Sequence, residues 1–338
     1  MANRKATVVC VIGSGRSGTS AVAHLARELG VYLGPDEHLQ LETNWNSDGC
    51  WEHLALMNVS LEILKRLGGT PAAPPVFPPG WERAPELEDL KDAARRVIAQ
   101  DFSGRDLWGW KDPTSCLTLP FWQELIGDMR YVICLRNPVD VAASQERQWS
   151  FSFPAAVSSW IERNLSAVVY TADQPRLFFS FDDYFQHPEA HVERLASFIG
   201  RPLPLAGTEA HRRIFGTLKS ELRTFESPVE KVLADERLTE GDRYFYQLLL
   251  AACRAPDGRG EVDQRALLEA YRGASRGRYQ KLHGYFQAYA TQAETELQEA
   301  RAALSQARER IEVLSAGRSE SGRDGFAPEP SALREGRG

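Results

Sequence analysis

The chain has 338 residues, of which 43% are hydrophobic, 10% aromatic and 25% charged, and its 40 basic against 46 acidic residues leave a net charge of -6. That is the make-up of a soluble globular protein long enough for one large domain and an appendage. It excludes a chain devoted to nucleic acid, and no apolar run approaches the roughly 20 residues of a membrane span. Five cysteines lie far apart with no Cys-x-x-Cys pair, so neither a zinc site nor a disulfide framework is suggested, and a cytoplasmic setting is expected.

In chain order, apolar runs of strand length alternate with longer stretches of helical period, the pattern of a three-layer α/β fold around a largely parallel sheet. Strands are predicted over Thr7 to Ile12, Leu107 to Trp110, Tyr131 to Leu135 and Leu177 to Phe181. Helices are predicted over Thr19 to Leu29, Leu54 to Leu67, Glu86 to Gln100, Val139 to Gln148, Ala155 to Tyr170 and His191 to Ile199. Between Gly68 and Pro85, Pro71, Pro74, Pro75, Pro78, Pro79 and Pro85 leave no room for a regular element, so a loop or lid is expected there. The domain should run over 1–285.

Over 286–316 the pattern changes. Ala290, Leu297, Leu304 and Ile311 recur every seven residues, with Ala293, Ala300, Ala307 and Leu314 at the second apolar position. This reads as a long helix, either a coiled coil that would support a homodimer or an amphipathic helix folded back on the domain. The tail over 317–338 has almost no apolar content and is expected to be disordered.

The sharpest local signal is Gly13-Ser14-Gly15-Arg16-Ser17-Gly18-Thr19-Ser20, between an apolar strand and a helical pattern. Such a P-loop-like turn points several backbone N–H groups into one concavity at the positive end of a helix, a site for phosphate or sulfate. Gly13 and Gly18 have Walker A spacing, but Thr19 stands where that motif has lysine, and Arg16 is the loop's cation. The letters also fit G-x-G-x-x-G, but Asp36 and Glu37 follow Gly34-Pro35 rather than a strand.

A second anion site is suggested where the Tyr131 to Leu135 strand ends in Arg136-Asn137-Pro138. An arginine at the carboxyl end of a parallel strand sits where such sheets bind ligands, and Ser144 follows about two helical turns later on the face looking back. By themselves these two residues are equally compatible with a salt bridge and a packing residue.

Together, the glycine loop and the Arg-Asn-Pro-x-Asp-x-x-x-Ser strand end resemble the sulfotransferases that use 3′-phosphoadenosine 5′-phosphosulfate (PAPS). Supporting segments are Asn46 to His53, Trp108 to Thr114, and Phe181 to Tyr184 with His187-Pro188-Glu189. The resemblance implies a single α/β domain in which Gly15, Arg16, Ser17, Gly18, Thr19 and Ser20 hold the 5′-phosphosulfate, and Arg136 and Ser144 the 3′-phosphate. It departs from the family where many members have lysine in place of Arg16, and where the later glycine-and-basic loop is only echoed by Arg272-Gly273 and Arg276-Gly277-Arg278.

The chemistry so implied is in-line transfer to an acceptor hydroxyl, with PAPS as co-substrate and no metal. Arg16 and the hydroxyls of Thr19 and Ser20 would serve the leaving side, and Lys111 would be a second cation unless it pairs with Asp112 on the surface. Family members use His or Glu as base, so His38, Glu42, Asp48, Glu52 and His53 are candidates. Glu52 comes first, because Trp45, Cys50 and Trp51 would desolvate its carboxylate, and His53 second. The acceptor would be a glycan, a lipid-linked sugar or a small hydroxylated metabolite. Two alternatives stay open: a nucleotide kinase with Asp182 or Asp183 as a magnesium-holding carboxylate, and a non-catalytic scaffold that keeps the fold.

Overall fold

The computed structural model describes residues 6–41, 49–216, 224–256, 258–274 and 295–307. The chain divides into two compact units, Met1–Tyr279 and Gln280–Gly338. In the first, β1 (Thr7–Gly13), β2 (Leu107–Lys111), β3 (Arg130–Leu135) and β4 (Arg176–Ser180) form a parallel sheet in the order β2-β1-β3-β4. All four strands were legible in the sequence, with ends shifted by no more than a residue.

Central β1 pairs on both sides, and its alternate side chains enter two different cores. Val8, Cys10 and Ile12 join one cluster and Val9 and Val11 the other. Burial on both faces is why the strand reads as continuously apolar rather than alternating.

The helices of this unit are α1 (Thr19–Glu28), α2 (Leu54–Arg66), α3 (Glu88–Asp101), α4 (Ser115–Ile126), α5 (Pro138–Trp149), α6 (Phe153–Tyr170), α7 (Phe181–Tyr184), α8 (Pro188–Ile199), α9 (Glu209–Gly216), α10 (Val229–Ala234) and α11 (Glu240–Arg254), with a further helix over 264–274. Helices α2, α3, α4, α6 and α11 contribute to one core cluster and α1, α8 and α9 to the other, giving the expected three layers.

The proline-rich stretch is not wholly irregular. Gly80, at φ 76°, leads into a single 3-10 turn over Trp81–Arg83. Trp81 is buried and packs on Phe77, with ring centroids 4.8 Å apart, so an aromatic anchor sets a turn that the prolines alone do not.

In the second unit, residues 295–307 are helical. Leu297 and Leu304 are 51% and 55% exposed. Ala290, Ala293, Ile311, Leu314 and the tail over 317–338 lie outside the described residues. No helix among the described residues is long and apolar enough to cross a membrane, and all five cysteines are free and buried.

Candidate active site

The sheet's carboxyl edge gathers the predicted residues. β1 ends at Gly13, and the chain turns through Ser14 to Gly18 into α1. Gly18 stands at φ +81°, and a Cβ there would lie 2.1 Å from Cδ2 of Phe181, so glycine is required on two counts. Arg16 also adopts a left-handed conformation, at φ 73°, costing of the order of 1–3 kcal/mol. Gly18 gives α1 no side-chain cap, and no acidic residue lies in the first turn, which leaves the helix's positive end open to an anion. Within the loop, the Ser17 hydroxyl is buried and has no hydrogen-bond partner among the described residues.

At the end of β3, Asn137 caps α5 by accepting from the Asp140 amide at 2.8 Å, and Pro138 starts the helix. That cap fixes the neighbouring Arg136, which is 7% exposed. Its Nη1 donates to the Arg16 carbonyl at 3.3 Å and its Nη2 to the Phe225 carbonyl at 2.6 Å. Asp140 lies 3.6 Å from Arg136 and Asp182 4.0 Å. Two turns along α5, the hydroxyl of Ser144 accepts from Nε of Arg16 at 2.9 Å. The helical spacing expected Ser144 to face Arg136; the loop arginine is what reaches it. Beside it, Gln145 donates to the Gly15 carbonyl at 3.0 Å, while its Oε1 is buried with no partner among the described residues. Burial above all, with Arg147 adding to it, lowers the pKa of Arg16 from its ordinary value. Its charge is therefore placed where an anion would stabilise it.

Lys111, the last residue of β2, is 2% exposed. Its ammonium donates to the Ser20 hydroxyl at 3.1 Å, to the Cys50 carbonyl at 3.1 Å and to Oε1 of Glu52. It is not a surface partner of Asp112. That carboxylate instead accepts from the Thr114 amide at 2.8 Å and the Ser115 hydroxyl at 2.9 Å, and burial holds its pKa above the usual range. The second oxygen of Glu52, Oε2, is buried with no hydrogen-bond partner among the described residues. Thr19 is buried at the start of α1. Arg16, Ser20, Lys111, Glu52, Arg136 and Ser144 thus gather around one loop, five of them through side-chain hydrogen bonds and Arg136 through the Arg16 carbonyl.

A sulfotransferase-domain family model matches residues 7–221. The chain belongs to the sulfotransferase family. A search of curated proteins finds no match. Among solved structures, the chain is similar to the sulfotransferase domain of the Synechococcus olefin synthase, at 15% identity over 68% of this chain and 84% of that one, with a TM-score of 0.41. It is similar to a Mycobacterium tuberculosis sulfotransferase at 14% identity, covering 68% and 76%, with a TM-score of 0.40. A retinol dehydratase solved with androsterone and the inactive cofactor PAP matches at 16%, covering 64% and 65%, with a TM-score of 0.34. Membership rests on the family match.

Two of the five candidate bases of this sulfotransferase stand apart from the loop. His38 and His53 both bond the carboxylate of Asp101, at 2.7 and 2.9 Å. Glu42 and Asp48 lie outside the described residues, as do Trp45 and Arg276 to Arg278; Arg272 and Gly273 sit in the helix over 264–274. Asp36 and Glu37 occupy a short 3-10 turn, not the end of a second strand. Asp182 accepts from the Asn137 amide at 2.8 Å, and Asp183 pairs with Arg254 at 2.9 Å, so both acids of the kinase alternative already serve the fold. Sequence reasoning missed Gln145 and Asp101. Gln145 is adjacent to a motif serine, which is a usable signal; Asp101 closes an ordinary amphipathic helix and carries none.

Proposed function

We propose that this sulfotransferase uses PAPS as its donor and a hydroxyl of a glycan, a lipid-linked sugar or a small metabolite as its acceptor. The observation that carries this reading is the contact between Arg16 and Ser144, which joins two anion-binding motifs into one cradle. The buried Ser17 hydroxyl, without a partner among the described residues, and the open end of α1 fit an oxyanion in the loop. When bound, PAPS supplies an activated sulfuryl group whose bond to the 5′-phosphate breaks as a bond to the acceptor oxygen forms.

The chain's own groups have the following parts in this reading. Gly15, Arg16, Ser17, Gly18, Thr19 and Ser20 hold the 5′ end, with Arg16 balancing charge that grows on the leaving phosphate. Arg136 and Ser144 hold the 3′-phosphate. Lys111 bridges Ser20 and Glu52, so donor seating and the base share one cation. Glu52 takes the acceptor proton on Oε2, the oxygen left free when Oε1 is held by Lys111. His53, turned to Asp101, is the weaker candidate.

The test is release of 3′-phosphoadenosine 5′-phosphate (PAP) from PAPS across a panel of hydroxylated acceptors. Acceptor-dependent release that is lost in Arg16→Ala is expected; turnover of ATP with magnesium and none of PAPS would contradict it. A cytoplasmic setting, suited to five free thiols, belongs to the same reading. So does a homodimer through the helix that carries Leu297 and Leu304, which truncation at Phe286 followed by light scattering would test.

A further inference from the structure

Three donor atoms, one of them on the weaker base candidate His53, meet at the start of α2. Nδ1 of His38 and Nε2 of His53 approach the same oxygen, Oδ2 of Asp101, at 2.7 and 2.9 Å, and the three atoms lie within 4.8 Å of one another. They come from separate elements. His38 ends the 3-10 turn Asp36–His38, His53 is the residue before α2, and Asp101 is the last residue of α3. Nothing in their sequence spacing announces this, which is why no metal was expected from the sequence.

We propose that His38, His53 and Asp101 form a binding site for one divalent transition-metal ion, with Zn²⁺ the best fit to its donors. Two imidazole nitrogens and one carboxylate oxygen suit zinc or its neighbours. Calcium and magnesium call for sets made of oxygen, and a thiolate-selecting ion would call for cysteine.

The site is largely built before any ion arrives. Asp101 and His53 have side chains 5% and 1% exposed, whereas that of His38 is 39% exposed. Two ligands are therefore fixed in the protein, and the third stands at the solvent side, where an ion enters and a water completes the tetrahedron. The His53 ring cannot swing freely. A Cβ on Gly34 would lie 2.7 Å from its Cδ2, and the Phe102 ring also packs against it, at 5.3 Å between centroids. The His38 turn is closed by hydrogen bonds from the His38 amide to Pro35 and from the Leu39 amide to Asp36.

Bond lengths of about 2.0–2.2 Å to zinc in a tetrahedron put ligand atoms roughly 3.3 Å apart. Metal entry thus asks the two nitrogens to draw back from Asp101 by about half an ångström, which the exposed turn of His38 accommodates most easily. Each ring stays neutral, its proton moving to the nitrogen away from the metal. For His53 that nitrogen is Nδ1, which is buried with no partner among the described residues. Lacking the outer hydrogen bond that usually supports a histidine ligand, the site should bind on the order of micromolar rather than more tightly. A bound ion would tie the 3-10 turn and the end of α3 to the residue beside Glu52, a structural role that does not depend on which donor or acceptor the enzyme uses.

The test uses the full chain freed of metal with EDTA. Zn²⁺ is titrated in competition with a chromophoric chelator, and Co²⁺ is followed by its visible absorption. One ion per chain is expected, with affinity reduced at least tenfold in His38→Gln and unchanged in His211→Gln. Asp101→Asn should abolish the cobalt bands; because it alters a buried group, His38→Gln, with circular dichroism to show an intact fold, decides the matter. Absence of stoichiometric binding by the wild-type chain, or equal binding by folded His38→Gln, would overturn the site. Neither result bears on PAP binding, which reports on the transferase reading separately.

Discussion

Nε of Arg16 donates to Oγ of Ser144 at 2.9 Å across 128 residues of chain. One residue belongs to the loop after β1 and the other to the second turn of α5, so the contact couples the two halves of the proposed donor site. Arg136 reinforces it from behind, through the Arg16 carbonyl. Seating of the 5′ end and of the 3′ end should therefore be linked.

Ser144→Ala tests the placement of Ser144 at the 3′ end. Removing one hydroxyl from a charge-assisted contact costs about 1–2 kcal/mol, so PAP should bind roughly tenfold more weakly. AMP, which has no 3′-phosphate, should change by less than about threefold. Calorimetric titration of both nucleotides checks this, and an equal loss for the two would place Ser144 outside the 3′ site.

Glu52→Gln keeps the shape of the side chain and its reach to Lys111 but removes the basic oxygen. Turnover should fall by about 10²–10⁴ while PAP affinity stays within a few-fold. Single-turnover measurement with PAPS and an active acceptor separates the two. Near wild-type turnover would remove Glu52 from the proton transfer.

Gly18→Ala should destabilise the fold as well as the site. Its Cβ would enter the Phe181 ring, and its backbone would carry an L-residue at φ +81°. Together these cost about 2–4 kcal/mol, read as a lower midpoint in urea. Recovery of part of that loss in Gly18→Ala with Phe181→Leu would show that the ring, and not the backbone alone, is responsible.

The ion pair between Asp183 and Arg254 fixes the junction after β4. Burial pushes the Asp183 carboxyl up, but hydrogen bonds from Arg254 at 3.0 and 2.9 Å outweigh it, and the folded pKa lies below the ordinary value. A depressed carboxyl contributes stability above its unfolded pKa, about 3.9, and loses it as pH falls through the folded value. Arg254 is half-exposed, so Arg254→Met should cost only about 1 kcal/mol at neutral pH. The gap between variant and wild type should close below about pH 4; a gap that widens in acid would contradict the sign.

Much of this molecule is legible in its sequence because burial leaves plain marks. Strands buried on both faces appear as apolar runs at Thr7 to Gly13 and Arg130 to Leu135, and the glycines of the loop mark a backbone no other residue fits. Helix α4 escaped notice for the same physical reason. Leu117, Leu119, Phe121 and Trp122 are buried at positions without a 3.6-residue spacing, and Pro120 interrupts the pattern. Helix α11 was not predicted either, although the capping box that starts it, Thr239 with Asp242, leaves a local signal. The site's parts could be named singly, but not their pairing. That Lys111 turns to Glu52 rather than Asp112, and His53 to Asp101 rather than the loop, depends on long-range packing that no local spacing records.

The most direct measurement is calorimetric binding of PAP beside AMP and magnesium-free ATP, to the wild-type chain and to Arg136→Ala. Tight PAP binding that requires the 3′-phosphate and collapses in Arg136→Ala is the expected result. Equal binding of PAP and AMP, or PAP binding indifferent to Arg136, would contradict a donor site spanning the loop and α5.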